Sequence, residues 1–364
     1  MIFTHNRYHR YLSYGITAAL LLLLAACKKE TVATTTPYPI PNIPNFRKMP
    51  VDPENPMTVE GVALGKRLFF DPILSRDSTI SCASCHLPSK SFSDTKALSK
   101  GIDNIEGKRN AMPLVNLAWF KNAYFWDGRS KTLREQALFP VEAPDEMHLP
   151  WPQAELRIQR HPVYKTLFEK AFGTGTPTRT EITKAIEQFE NTLLSYNAPF
   201  DRYLRGEIQL DSSVLRGLEI FRSEKGDCFH CHTTASPELF IDPLKTFANN
   251  GMDAAATVFD FPDPGLGAIT GNNNDLGRFK IPTMRNLGFT APYMHDGRFA
   301  TLDEVIDMYN LGPKNSPNVE PIMIEKANIR FQNTGSYGLG LTTQEKADLK
   351  AFLLSLTDST FIQP

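Results

Sequence analysis

Apolar residues recur along this chain mostly at helical spacing. Ile182, Ala185, Ile186, Phe189 and Leu193 fall on one face of a helix, with Thr180 as the expected N-cap. Leu349, Phe352, Leu353 and Leu356 repeat the stripe near the C-terminus, where Thr342 and Glu345 have capping-box spacing. Strand-period runs are scarce. Segment 236–278 is crowded with Pro, Gly, Asn and Asp, the composition of a long irregular loop. Two stretches share a plan: Leu64 to Asp71 and Leu215 to Phe221 each predict a short helix that carries a Gly and then an aromatic. This internal repeat in outline predicts a mostly helical chain in two halves. The join is expected near Asn197 to Asp211, with Asn197-Ala198-Pro199 ending a helical segment.

The N-terminus breaks that pattern. Arg7 and Arg10 precede an apolar run from Ile16 to Leu24, and Leu24-Ala25-Ala26 leads directly to Cys27. The run is short for a spanning helix and has the flanks of a secretory signal, in the form that ends at a lipoprotein cysteine. Residues 1–26 are therefore expected to be a signal peptide and Cys27 a lipid anchor that holds the protein to a membrane without spanning it. An uncleaved N-terminal anchor is the alternative. Residues 27–46, rich in Thr, Pro and Lys, are expected to form a flexible tether. The implied location is the cell envelope, as a periplasm-facing lipoprotein of a Gram-negative-type bacterium.

At 364 residues, the chain is long enough for two ordinary domains beyond such a leader. A formal net charge of −1 gives no reason to expect a nucleic-acid partner. The chemistry lies in the cysteines. Four of the five sit in two Cys-x-x-Cys-His patterns, Cys82 to His86 and Cys228 to His232. Covalent c-type haem attachment needs that spacing: two thiols add to one porphyrin's vinyl groups, and the adjoining His becomes the proximal iron ligand. A split four-cysteine zinc site is the rival reading, opposed by the two histidines and by the distance between the pairs along the chain. Disulfides across so short a gap constrain little. Export supports haem, because this attachment is carried out outside the cytoplasmic membrane. The expected fold is all-α: two cytochrome c-like haem domains with long irregular loops, residues 47–204 and 205–364.

Further strings narrow the reading: Ala63 to Pro72, Ser81 to His86, Arg109-Asn110, Phe125 to Arg129, Glu135 to Ala137, Phe279 to Asn286 and Ala291 to Gly297. In that order they resemble the bacterial di-haem cytochrome c peroxidases and their relative MauG, from about residue 57 to the C-terminus. The resemblance implies that the N-terminal haem, above His86, reacts with hydrogen peroxide, and that the C-terminal haem, above His232, relays electrons from a small cytochrome c or cupredoxin. Trp126 matches the tryptophan between the haems; by itself it reads as a core aromatic. Gln136 and Glu146 match the distal pair, Glu146 shuttling the proton that makes water a leaving group and Gln136 positioning by hydrogen bonding. Read alone, both would be surface residues. Asn110, Thr290 and Pro292 match oxygen donors for a calcium ion between the haems, although Thr290 to Pro292 alone reads as a turn. Arg285 is expected to pair with haem propionates and His295 to lie near a haem edge, neither as an axial ligand. A homodimer is a further family expectation.

Two departures from the common peroxidase pattern bear on mechanism. No histidine lies between His86 and Trp126, and Ile102 stands where many relatives carry a ligating His. His148 and His161 are expected at the surface, so the first iron is expected to be five-coordinate or to carry only water. At the second haem, Tyr309 occupies the place of the usual Met ligand, as in MauG, with Met308 beside it. Neighbours on a helix point about 100° apart, so one of the two can face the iron. Three activities remain at this point: a peroxidase, which the reading favours; a MauG-like oxidation of a protein or small molecule; and a di-haem electron carrier without catalysis.

Overall fold

The structure, a computed structural model, describes residues 34–120, 123–232 and 246–361. The expected signal peptide and the anchor Cys27 lie outside the described residues. As expected, the chain is mostly helical. Among the described residues, the sheet is a single antiparallel pair, β1 (Phe247–Ala248) and β2 (Phe279–Lys280). Among the described residues, no helix is long and apolar enough to cross a membrane.

The first half is built on helix α1 (Val59–Phe70), α2 (Leu133–Glu142), α3 (Trp151–Arg160), α4 (Pro162–Phe172) and α5 (Arg179–Glu190). The cap of α5 is Thr178, not Thr180: its side chain and that of Glu181 close a capping box. Both threonines can cap, and Glu181 has the reciprocal spacing only from Thr178. Ile182, Ala185, Ile186 and Phe189 are buried, as their periodicity requires. The second half holds α6 (Pro199–Leu204), α7 (Ser212–Arg222), the single turn α8 (Gly267–Thr270), α9 (Leu302–Leu311), α10 (Pro321–Thr334) and α11 (Thr343–Ser355). The Thr342–Glu345 capping box opens α11 as expected.

Three expectations change. Pro199 begins α6 instead of ending a helix, as its fixed φ and missing N–H suit the first helical position. Phe200 in α6 packs with Phe221 and Phe352, so the chain crosses between cores ahead of the 204/205 boundary. The described part of the tether is packed: Tyr38 N–H donates to Met57 O at 3.0 Å, Ile43 is buried and Phe46 meets Trp119 edge-on. Its scattered apolar residues find a ready surface despite lacking any period.

The repeat seen in outline extends through most of each half. Helix α1 crosses α5 where Gly65 lies against the Ala185 carbonyl, and α7 crosses α11 where Gly217 lies against the Asp348 carbonyl. A methyl at either glycine would overlap that carbonyl. One turn on, Phe69 meets Phe189 with ring centroids 5.2 Å apart, and Phe221 meets Phe352 at 5.3 Å. Tyr124 to Glu135 and Tyr293 to Glu304 also match. Each has a bridge (Tyr124 with Ser130, Tyr293 with Phe299) and left-handed residues at Phe125, Gly128, Met294 and Gly297. Thr132 caps α2 and Thr301 caps α9. Trp126 and His295 thus hold equivalent places, as do Pro140 and Tyr309.

Candidate active site

Behind α1 the chain makes a tight turn, Cys82–Ser84, with Cys85 and His86 N–H groups donating to the Cys82 carbonyl at 3.2 and 2.9 Å. This presents two thiols and an imidazole to one cavity of about 1080 Å³, lined also by Trp126, Gln136 and Glu146. His86 Nδ1 lies 2.8 Å from the Phe92 carbonyl, which leaves Nε2 for a metal. Burial pushes the Cys82 and Cys85 thiols up, so they are neutral. Cys228, Cys231 and His232 line a second cavity of about 220 Å³. The two cysteine pairs therefore face different cavities, and the four-cysteine zinc reading fails. The donor sets fit one haem c each.

Gln136 and Glu146, the expected distal pair, both line the first cavity. Gln136 is on α2. Glu146 follows that helix, and its carbonyl accepts from Ile102 N–H at 3.0 Å. Gly101 packs directly on the Asp145–Glu146 backbone, leaving no room for a side chain. The Glu146 carboxyl is pushed up to about 7, first by burial and then by Asp145, with Arg129 opposing. His86 is the one histidine lining this cavity among the described residues. Neither His148 nor His161 reaches it: His148 bonds Arg76 and Asp103, and His161 stacks edge-on against Tyr164.

In the second cavity, Tyr309 lines the wall and Met308 does not. The Tyr309 hydroxyl accepts from Asn250 Nδ2 at 3.1 Å, and burial pushes its phenol up to about 12. The His232 imidazole is pushed down to about 4 by burial, opposed by its bond to the Pro282 carbonyl. Asn110, Thr290, Pro292 and His295 share this cavity's wall. Asn110 Nδ2 donates to the Lys96 and Ala97 carbonyls at 3.1 Å each, which turns its Oδ1 the other way as a hard acceptor. Phe279 stacks on His295 with centroids 3.7 Å apart.

Trp126 lines both cavities, as do Asn110, Lys280, Pro282 and Thr283. Its indole N–H donates to Asn110 O at 2.9 Å and its carbonyl accepts from Lys280 N–H at 2.8 Å. Arg285 lines neither cavity. It is fully buried, paired with Asp201 at 2.6 Å, with Nε and Nη2 unpartnered among the described residues. Two residues on the first cavity were missed from sequence. Pro140 stands where the second half has Tyr309. Glu190 is buried with Oε2 unpartnered among the described residues, its carboxyl pushed up to about 8 by burial and then by Glu187. Its signal was an acid on the apolar face of α5.

Comparison with known proteins gives the family. A family model described as di-haem cytochrome c peroxidase matches residues 59–209. The methylamine utilization protein MauG of Methylorubrum extorquens is 36% identical over 318 residues, covering 83% of this chain and 79% of that protein. The cytochrome c551 peroxidase of Nitrosomonas europaea is 35% identical over 261 residues, covering 71% and 75%. Among solved structures, a MauG-like protein associated with microbial copper homeostasis superposes with a TM-score of 0.77 at 32% identity, covering 90% of this chain and 97% of that one. The chain is an oxidoreductase relative that carries covalent haem c, and it belongs to the di-haem cytochrome c peroxidase and MauG family.

Proposed function

We propose that this protein reduces hydrogen peroxide to water, using electrons from a small cytochrome c or cupredoxin. The observation that carries the reading is the inequality of two otherwise repeated sites. The first cavity is lined by Glu146, Gln136 and Pro140 together with the attachment turn, and the second by Tyr309. The two halves are read as cytochrome c-like domains, the N-terminal one reactive. Cys82 and Cys85 would hold one haem c and Cys228 and Cys231 the other, with His86 and His232 as iron ligands, and the haems would supply the redox chemistry. Peroxide, two electrons and two protons give two waters.

The chain's own part is proton handling and electron delivery. A carboxyl near 7 is shared between its two forms at neutral pH, so Glu146 can take the proton from the inner peroxide oxygen and return it to the outer one, which leaves as water. Gln136 holds the substrate by hydrogen bonding. Trp126, touching both cavities, is the packed link for electrons. Tyr309 closes the second site. Asn110 Oδ1 with the Thr290 and Pro292 carbonyls would hold calcium, waters completing the shell. Cys27 would anchor the mature protein by lipid on the periplasmic side.

Tyr309 favours a second reading. A phenolate stabilises oxidised iron and would make the second haem a poorer electron reservoir, which suits MauG-like oxidation of a protein or small molecule. Paramagnetic resonance of the resting ferric protein should show one high-spin haem; two low-spin signals would indicate a carrier and overturn the open site. Peroxide-dependent oxidation of reduced cytochrome c then separates the two enzymes, and its absence would overturn the peroxidase reading.

A further inference from the structure

Between the halves, two fully buried polar side chains meet that the proposed reaction does not use: Asn286 Nδ2 donates to Ser91 Oγ at 2.8 Å. Ser91 and Phe92 both have φ of 55°, successive non-glycine residues in the left-handed region. Such a turn persists only when its surroundings hold it. Local bonds supply part of the hold, with Ser91 N–H on Pro88 O at 3.1 Å and Phe92 N–H on Leu87 O at 2.9 Å. Asn286 adds a bond from the other half of the chain. The product of the turn is the direction of the Phe92 carbonyl, which faces His86 Nδ1 at 2.8 Å and also accepts from Leu114 N–H at 3.2 Å.

The Asn286 amide is itself fixed. Its Oδ1 accepts from Ser195 Oγ at 3.0 Å and from Asp358 N–H at 2.9 Å, so Nδ2 must face Ser91. Asn286 ends a strap that begins at Pro282. Pro282 and Thr283 line both cavities, and the His232 ring reaches the Pro282 carbonyl. Arg285 stiffens the strap through its buried pair with Asp201 and through its N–H on Thr283 Oγ1 at 3.1 Å.

We propose that the Ser91–Asn286 hydrogen bond couples the proximal sides of the two haem sites, holding the Phe92 carbonyl on His86 and tying it to the strap whose Pro282 carbonyl meets His232. The inference rests on the di-haem reading. The acceptor behind a ligating histidine fixes its ring and raises its basicity, so a carbonyl held closer favours oxidised iron. Ser91 and Asn286 are positioning residues.

The test is Ser91→Ala in the full haem-loaded chain, with Ser195→Ala as a control that removes a bond to the same amide on its other side. Haem content comes first: fewer than two haems per chain would sink the di-haem reading itself. With two haems and an unchanged melting curve, resonance Raman of the reduced protein reads the iron–histidine stretch of the first haem, and a reductive titration reads both potentials. In Ser91→Ala the stretch should fall to lower frequency, and both potentials should rise. In Ser195→Ala neither should move. Unchanged stretch and potentials in Ser91→Ala, or a shift confined to the first haem, would overturn the coupling. If Ser91→Ala does not fold, Ser91→Gly also removes the hydroxyl and suits the left-handed backbone at φ 55°, and the same shifts are expected.

Discussion

Glu146 and Glu190 show how burial changes one residue type in two ways. Glu146, near 7, is poised to exchange a proton at neutral pH, and its ionised form must receive the first one. Peroxide turnover should therefore rise with pH through about 7, and in Glu146→Gln that limb should vanish while kcat/KM falls roughly 10²–10⁴-fold; steady-state rates across pH check both. Glu190 should instead appear in stability. Its carboxyl rises from an ordinary 4.5 to about 8, so the folded state holds a proton that the unfolded state has released. Stability is then full below about 4.5 and is lost progressively as pH climbs towards 8. Melting temperatures of the Glu190→Gln protein should lack that decline. The attachment cysteines and histidines were legible because covalent chemistry demands their spacing. Glu146 was reached only through resemblance, since nothing local distinguishes it from a surface acid. Glu190 was passed over because a helical stripe does not reveal whether its face meets core or cavity.

Helix pairs set the frame for these residues. Because Gly65 and Gly217 let backbones touch, Gly65→Ala and Gly217→Ala must separate α1 from α5 and α7 from α11. Each should lower stability by about 1–3 kcal/mol or more, as overpacking does, read by chemical denaturation. An equal loss at both sites would support the repeat; no loss at either would contradict the close crossing. Sequence period located α5 and α11, and the shared plan of a Gly followed by an aromatic located α1 and α7, while the finer correspondence of Tyr124 to Glu135 with Tyr293 to Glu304 needed the shared bridges and left-handed turns to become visible. That correspondence makes Pro140 informative. Inside α2 it cannot donate to the Gln136 carbonyl, and it offers no ligand atom where α9 presents Tyr309. Pro140→Tyr should place a phenol over the first cavity and reduce the resting high-spin signal together with the peroxide rate. A full high-spin signal in that variant would separate the two positions.

At the scale of the molecule, polar contacts as well as apolar cores join the repeated halves. Arg109, on the first cavity, forks onto Asp263 at 2.7 and 2.8 Å and also pairs with Asp127. Little of this was legible, because Asp263 lies in the Pro- and Gly-rich segment whose path no periodicity describes. The C-terminal end does the same at a second place. Asp358 is buried, and its Oδ2 accepts from Tyr196 and Asn197 N–H at 3.0 and 2.8 Å just where the chain passes between halves. Its Oδ1 accepts from Thr360, and Phe361 packs on Phe92 in the first half. Asp358→Ala would leave the two N–H groups at the crossing without that acceptor, at about 1–3 kcal/mol for each buried donor left unsatisfied. Because the same residue's N–H holds Asn286 Oδ1, the loss should reach the contact between halves as well as the turn. Unfolding followed by far-ultraviolet dichroism and by Soret absorbance should coincide in the parent. In Asp358→Ala both should shift to lower denaturant and the Soret change should come first. Coincident curves at the parent's midpoint would show that the C-terminal end is a passenger on the fold.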